Sequence, residues 1–151
     1  MSTRLDAFTK IRERWKAALP TGVRAVYANW KPAEGTVEAK PDPGATVWVR
    51  EVLAPGFGID DGISGAARIR TVRASVQLEI HAPRDGGVKP ALSVADALEL
   101  ALLTGAPSYL ADGVTPILVY DTAVQPVRDD GEWFMIPLVV FYSYTVALAA
   151  A

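Results

Sequence analysis

His81 is the single histidine of the chain, so any acid–base dyad or imidazole-ligated metal must be built around it. It stands two residues before Pro83, at the end of a strand-like run, with neither an HxH nor an HExxH context. That setting predicts a structural or surface histidine rather than a catalytic one. The adjacent carboxylates Asp60 and Asp61 are the next candidates, because paired acids can hold a metal or share a proton. They lie in a glycine-rich stretch without the DxDxDG pattern of a calcium loop, and turn chemistry accounts for them. Asp42 and the pair Asp129-Asp130 read the same way. Gly56-x-Gly58 is too short for a dinucleotide fingerprint. The sequence also lacks GxxxxGK[ST] for a phosphate and GxSxG for an acyl-transfer nucleophile. The expectation is therefore no catalytic residue, no cofactor site, no metal site and no enzyme activity.

Residues suited to binding are easier to find. Arg68, Arg70 and Arg73 follow one another on a strand-like segment. Arg68 and Arg70 share one face and Arg73 takes the other. Such a cluster fits an acidic partner surface or DNA passing through a channel, and equally a solvated strand end. Just upstream, Phe57, Ile59 and Ile63 are apolar residues in the segment PGFGIDDGISGA. That composition predicts a loop over Pro55 to Ala66, mobile until it orders on a partner. The candidate interface is thus Phe57, Ile59, Asp60, Asp61, Ile63, Arg68, Arg70 and Arg73. Trp30, Trp48 and Trp133 read first as core residues and second as binding anchors.

The chain that must position these groups has 151 residues, half of them hydrophobic, and a net charge of −2. That is one domain with a sizeable core and no general affinity for polyanions. The absence of cysteine excludes a disulfide scaffold, a cysteine-ligated zinc and a thiol nucleophile. The N-terminal stretch is charged and amphipathic, so no secretion signal is expected. Residues 133 to 151 carry no charge. A membrane anchor is one reading of that run. Pro137, Ser143, Tyr144 and Thr145 interrupt it, and its β-branched and aromatic content favours a buried strand.

Periodicity lays out the elements. Leu5, Phe8, Ile11, Trp15 and Leu19 recur at helical spacing and predict a helix from Ser2 to Pro20. Thr3 and Asp6 stand as a capping box, and Pro20 and Gly22 as the stop. Strands are expected over Val23 to Trp30, Thr46 to Leu53, Ala67 to Ala82, Val114 to Val124 and Trp133 to Leu148. Lys31 to Ala45 reads as a loop. A second helix is expected to begin at a Ser93 cap and end at Gly105. Asp130-Gly131 predicts a hairpin before the last strand. In that strand Ile136, Leu138 and Val140 oppose Met135, Val139 and Phe141. Both faces need covering, by the rest of the chain or by a second subunit. The result is an α+β domain, an antiparallel or mixed β-sheet with two α-helices packed on one face.

The order of these features resembles the phage tail terminator family, the tail-tube capping proteins of long-tailed phages and gene-transfer particles. The resemblance is carried by ALP at Ala18 to Pro20, YANW at Tyr27 to Trp30 followed by Pro32, and TVWVREVLAPG at Thr46 to Gly56. A glycine-bearing loop follows, then an arginine-led strand ending QLEIHAP at Gln77 to Pro83. The helix ADALELAL at Ala95 to Leu102 and the strand WFMIPLVVFYSY at Trp133 to Tyr144 complete it. The segment Lys31 to Ala45 is longer than the pattern. The resemblance implies a six-membered ring in the tail neck of a virion made in a bacterial host's cytoplasm. Such a ring binds the last subunit ring of the tail tube protein, stops polymerisation and meets a head-completion or connector protein. DNA only passes through the channel, and no membrane partner is implied. The alternatives are another head–tail connector protein, head-closure or tail-completion, or a small α+β enzyme or ligand-binding domain near Asp60, Asp61 and His81.

Overall fold

The computed structural model describes residues 3–26, 47–53, 58–64, 67–129, 131 and 133–148. Their elements are α1 (Thr3–Ala18), β1 (Arg24–Val26), β2 (Trp48–Leu53), β3 (Gly58–Ser64), β4 (Ala67–Pro83), α2 (Lys89–Thr104), β5 (Ser108–Tyr109), β6 (Pro116–Val124), β7 (Arg128–Asp129) and β8 (Trp133–Leu148). A 3-10 turn at Arg84–Gly86 links β4 to α2.

The spine of the fold is the antiparallel ribbon of β4 and β8, paired without interruption from Arg68↔Leu148 to Pro83↔Trp133. Across the sheet the order is β1-β2-β4-β8-β6-β5, with β3 alongside β4 and β7 alongside β8. β1 and β2 run parallel while the other pairs are antiparallel, so the sheet is mixed. Alternation sets the core. Val72, Ala74, Val76, Leu78, Ile80 and Ala82 of β4 lie on one face with Ile136, Leu138, Val140, Tyr142 and Tyr144 of β8, all buried. Ala7, Ile11 and Trp15 of α1 and Ala91, Val94, Ala95, Leu98 and Leu102 of α2 join the same cluster. Both helices thus cover one face of an α+β sheet, and each large side chain buried there contributes about 1.5–3 kcal/mol.

Pro137 sits inside β8 without breaking it, for a geometric reason. β6 pairs with Leu138 to Ser143 and β7 with Phe134 and Met135, which leaves Pro137 at the gap between them. Its carbonyl accepts the Gln125 amide across that gap at 2.8 Å. In an antiparallel pair a residue's N–H and C=O point the same way, so the missing N–H costs the β4–β8 ladder no rung. The uncharged C-terminal run is therefore a strand, and among the described residues no helix is long and apolar enough to cross a membrane.

Several expectations need correction. The segment read as a mobile loop over Pro55 to Ala66 contains β3, which pairs with β4 from Gly58↔Arg73 to Ser64↔Ala67. β2 covers only Val76 to His81 on that edge of β4. The N-terminal half of this long strand needs another partner for its backbone groups, and the adjacent chain supplies it as a hairpin. Ser93 caps nothing. α2 begins at Lys89 with Pro90 in its first turn and Val88 as a cap lacking a side-chain bond, because proline's fixed φ suits a helix start. Asp6 is no capping-box acid: its carboxylate accepts the Ala111 amide at 2.6 Å and ties α1 to the segment after β5. Leu5 points off the buried stripe of α1 and is exposed. The short β5 and β7 were not foreseen. Gly105 does end α2, donating its N–H to the Ala101 carbonyl. Gly131, at φ 98°, does turn the chain into β8. Tyr27 to Trp30 and Lys31 to Ala45 lie outside the described residues.

Candidate interaction surface

The candidate interface residues fall mainly on the β3–β4 hairpin. Register sets Ile59 opposite Val72, Asp60 opposite Thr71, Asp61 opposite Arg70, and Ile63 opposite Arg68. Phe57 lies outside the described residues. Arg68 and Arg73 are exposed and Arg70 is half-buried. The three arginines each make an interaction within the chain. The register thus places Asp61 and Arg70 at one position of the β3–β4 pair.

His81 occupies a different place from these acids. It belongs to a row across four strands, Trp48↔His81↔Met135↔Arg128, on the sheet face turned away from the helices. Its ring stacks on Trp48 at 4.0 Å between centroids, with 8° between the planes. Trp133 meets Trp48 edge-on at 6.0 Å and 88°. All three rings are buried. Trp48 and Trp133 therefore pack rather than protrude, and His81 is structural rather than a surface group. Among the described residues no group of three or more His, Asp or Glu side chains is placed to hold a metal ion.

The sequence reading missed one polar constellation. Glu51 follows Val47 and Val49 on the inward face of β2, and its carboxylate is fully buried. Arg12 of α1 donates to it from Nε at 3.1 Å to each oxygen, and from Nη2 to Oε1 at 2.6 Å. The Trp15 indole N–H donates to Oε2 at 3.2 Å. A buried charge needs such full pairing to be tolerated. The signal was a glutamate at a core-facing position of an alternating strand, with an arginine next to the apolar stripe of a helix. Nearby, the Tyr142 hydroxyl is pushed up to about 12 by burial, by Tyr144 and by the Glu51 charge. Tyr144 is also raised, by burial, with Arg4 opposing. This cluster anchors a helix to a strand.

What the described surface offers is apolar area. Leu92, Leu100 and Leu103 of α2 are exposed, as are Leu118 and Tyr120 of β6. Tyr120 leans on Phe141 of β8 with centroids 6.2 Å apart. Phe141 and Val139 are half-buried on the face opposite the helices. Large apolar side chains are thus exposed both on α2 and on the sheet face opposite the helices.

Comparison with known proteins places the fold among solved structures. One solved chain without a functional description shares 17% identity, with a TM-score of 0.61 over 98% of this chain and 94% of its own length. A chain from the virion of a native gene transfer agent (GTA) particle shares 16% identity, with a TM-score of 0.50 over 94% of this chain and 92% of its own. No family model and no curated protein matches the sequence. At these identities the likeness is one of fold, and it extends over nearly the whole of each chain.

Proposed function

We propose that the chain is a structural protein of a virion or virion-like particle, a tail terminator that closes as a ring on the end of the tail tube. The ring stops tube polymerisation and presents its other side to the head-completion proteins. One observation supports this above the rest: the fold is shared from end to end with a chain of a gene transfer agent virion. The order of sequence motifs points to the same class independently. Apolar side chains exposed on both sides of the sheet and helix layer fit a subunit whose two surfaces are completed by neighbours. Its partners are then further copies of itself, the tube protein and a neck protein, with DNA passing through the lumen. Chemistry plays no part in this role.

The reading is tested by adding the purified chain to preformed tail tubes of the same particle and imaging them with a label on the chain. A terminator decorates one end of each headless tube and halts further growth. Binding to isolated heads, with none to tubes, would move the protein to head closure. Binding to neither would overturn the reading.

A further inference from the structure

We propose that neighbouring subunits of the ring meet helix on sheet: the outward face of α2 in one copy packs on the outer face of the β4–β8–β6 sheet in the next. The inference rests on the ring reading above and names the two surfaces that close it.

The helical surface is a single stripe. Leu92, Asp96, Glu99, Leu100 and Leu103 follow at steps of four, seven, eight and eleven residues from the first, the spacing of one helix face. The buried side of α2 is the separate arc of Ala91, Val94, Ala95, Leu98 and Leu102. Leu100 is 66% exposed and Leu103 46%, and such anchors are typical of a helix laid on a partner. The sheet surface lies on the far side of the same layer. Arg73, Ser143 and Leu118 form one row across β4, β8 and β6, and Ser75, Phe141 and Asp121 form the next. Tyr120, in the bulge between Val119 and Asp121, covers Phe141. Leu118, Tyr120, Phe141 and Val139 thus make an apolar strip with Arg73 at its border.

Charge decides what occupies it. A two-fold pairing of α2 with α2 would bring the two acids Asp96 and Glu99 of each stripe together, with only Lys89 of each first turn to offset them. On the sheet strip the same acids meet Arg73. Asp121 is the acid of that strip, and its Oδ1 already accepts the Thr122 amide at 2.8 Å. Strand addition at the β6 edge is disfavoured by the same features, since a bulge and a side-chain-capped amide break the row of groups a new strand needs. Face packing therefore remains. The stripe and the strip are two different surfaces of one subunit, as a head-to-tail contact requires.

The test uses the full chain and analytical ultracentrifugation, with circular dichroism as a check on folding. Leu100→Glu with Leu103→Glu, and separately Tyr120→Glu, should each weaken association about thirtyfold or more. Asp96→Arg with Glu99→Arg should weaken it too, as should Arg73→Glu alone. Combining these charge exchanges should restore much of the loss, which a merely misfolded subunit would not do. Wild-type rings that persist unchanged in the α2 and Tyr120 variants would overturn this interface and leave the ring reading standing. A wild-type chain that stays monomeric at the highest attainable concentration and on tubes would overturn the ring, and this interface with it.

Discussion

The Arg12 guanidinium grips the Glu51 carboxylate through both Nε and Nη2, with Nη2–Oε1 at 2.6 Å, and joins α1 to β2 across a buried surface. Trp15 supplies the third donor. Glu51→Ala would strand a half-buried guanidinium and a buried indole N–H, and Arg12→Ala a fully buried carboxylate. Arg12→Ala should lower stability by about 3–5 kcal/mol in urea unfolding, and Glu51→Ala by less, because the guanidinium it leaves can reach water. The paired replacement Arg12→Met with Glu51→Met should cost clearly less than either single change, because no charge is then left unpaired. Equal losses in all three would show that the ion pair is not what holds the helix.

Much of the fold was legible because β4 alternates so cleanly. Leu78 and Ile80 point inward and Gln77 and Glu79 outward, and period two needs no tertiary information. β3 was not legible, because GIDDGIS is assembled from residues that favour turns. Its strand state comes from the uncovered half of β4, which local propensity does not encode. Glu51 was hidden for a related reason: a charged residue reads as exposed until its partner is known, and Arg12 lies 39 residues away. The apolar strip at Leu118, Tyr120 and Phe141 requires the register of three strands. From sequence, only the two-sided apolar pattern of β8 hinted at it.

Tyr142 makes stability depend on alkaline pH. Its folded-state value of about 12 exceeds the ordinary 10.0, so the unfolded chain loses this proton first. The stabilisation from holding Tyr142 neutral is fully present below about pH 10. It is lost progressively as pH rises to about 12. Denaturant midpoints should fall across that window, and Tyr142→Phe should flatten part of the fall. A tyrosinate absorbance titration should show one late-ionising group that is missing in the variant. A titration identical in both proteins would contradict this assignment.

Gly105 closes α2 where there is no room for a side chain. A Cβ there would lie 2.5 Å from the Ala101 carbonyl oxygen and 3.2 Å from Arg14 Nη2. Arg14 is itself held by the Leu102 carbonyl at 2.9 Å. The backbone φ is an ordinary −68°, so the cost is steric and not conformational. Gly105→Ala should destabilise by about 1–3 kcal/mol, with the loss of amide protection concentrated in the last turn of α2. A variant as stable as the parent would show that the helix end yields freely.

The β3–β4 hairpin carries a charge prediction. Arg68→Glu with Arg70→Glu places an acid opposite Asp61 on one rung, and like charges across a strand pair repel. Hydrogen exchange should quicken in β3, with the ribbon of β4 and β8 unaffected. Unchanged exchange in β3 would mean that the arginines hold nothing within the subunit and act only outward.

The most direct measurement is the structure of the particle itself by cryo-electron microscopy. The account predicts one closed ring of this chain between the last ring of tail tube subunits and the neck, with α2 of each copy against the β6–β8 face of the next. Finding the chain along the tube, on the head alone, or as an isolated monomer in the particle would contradict it.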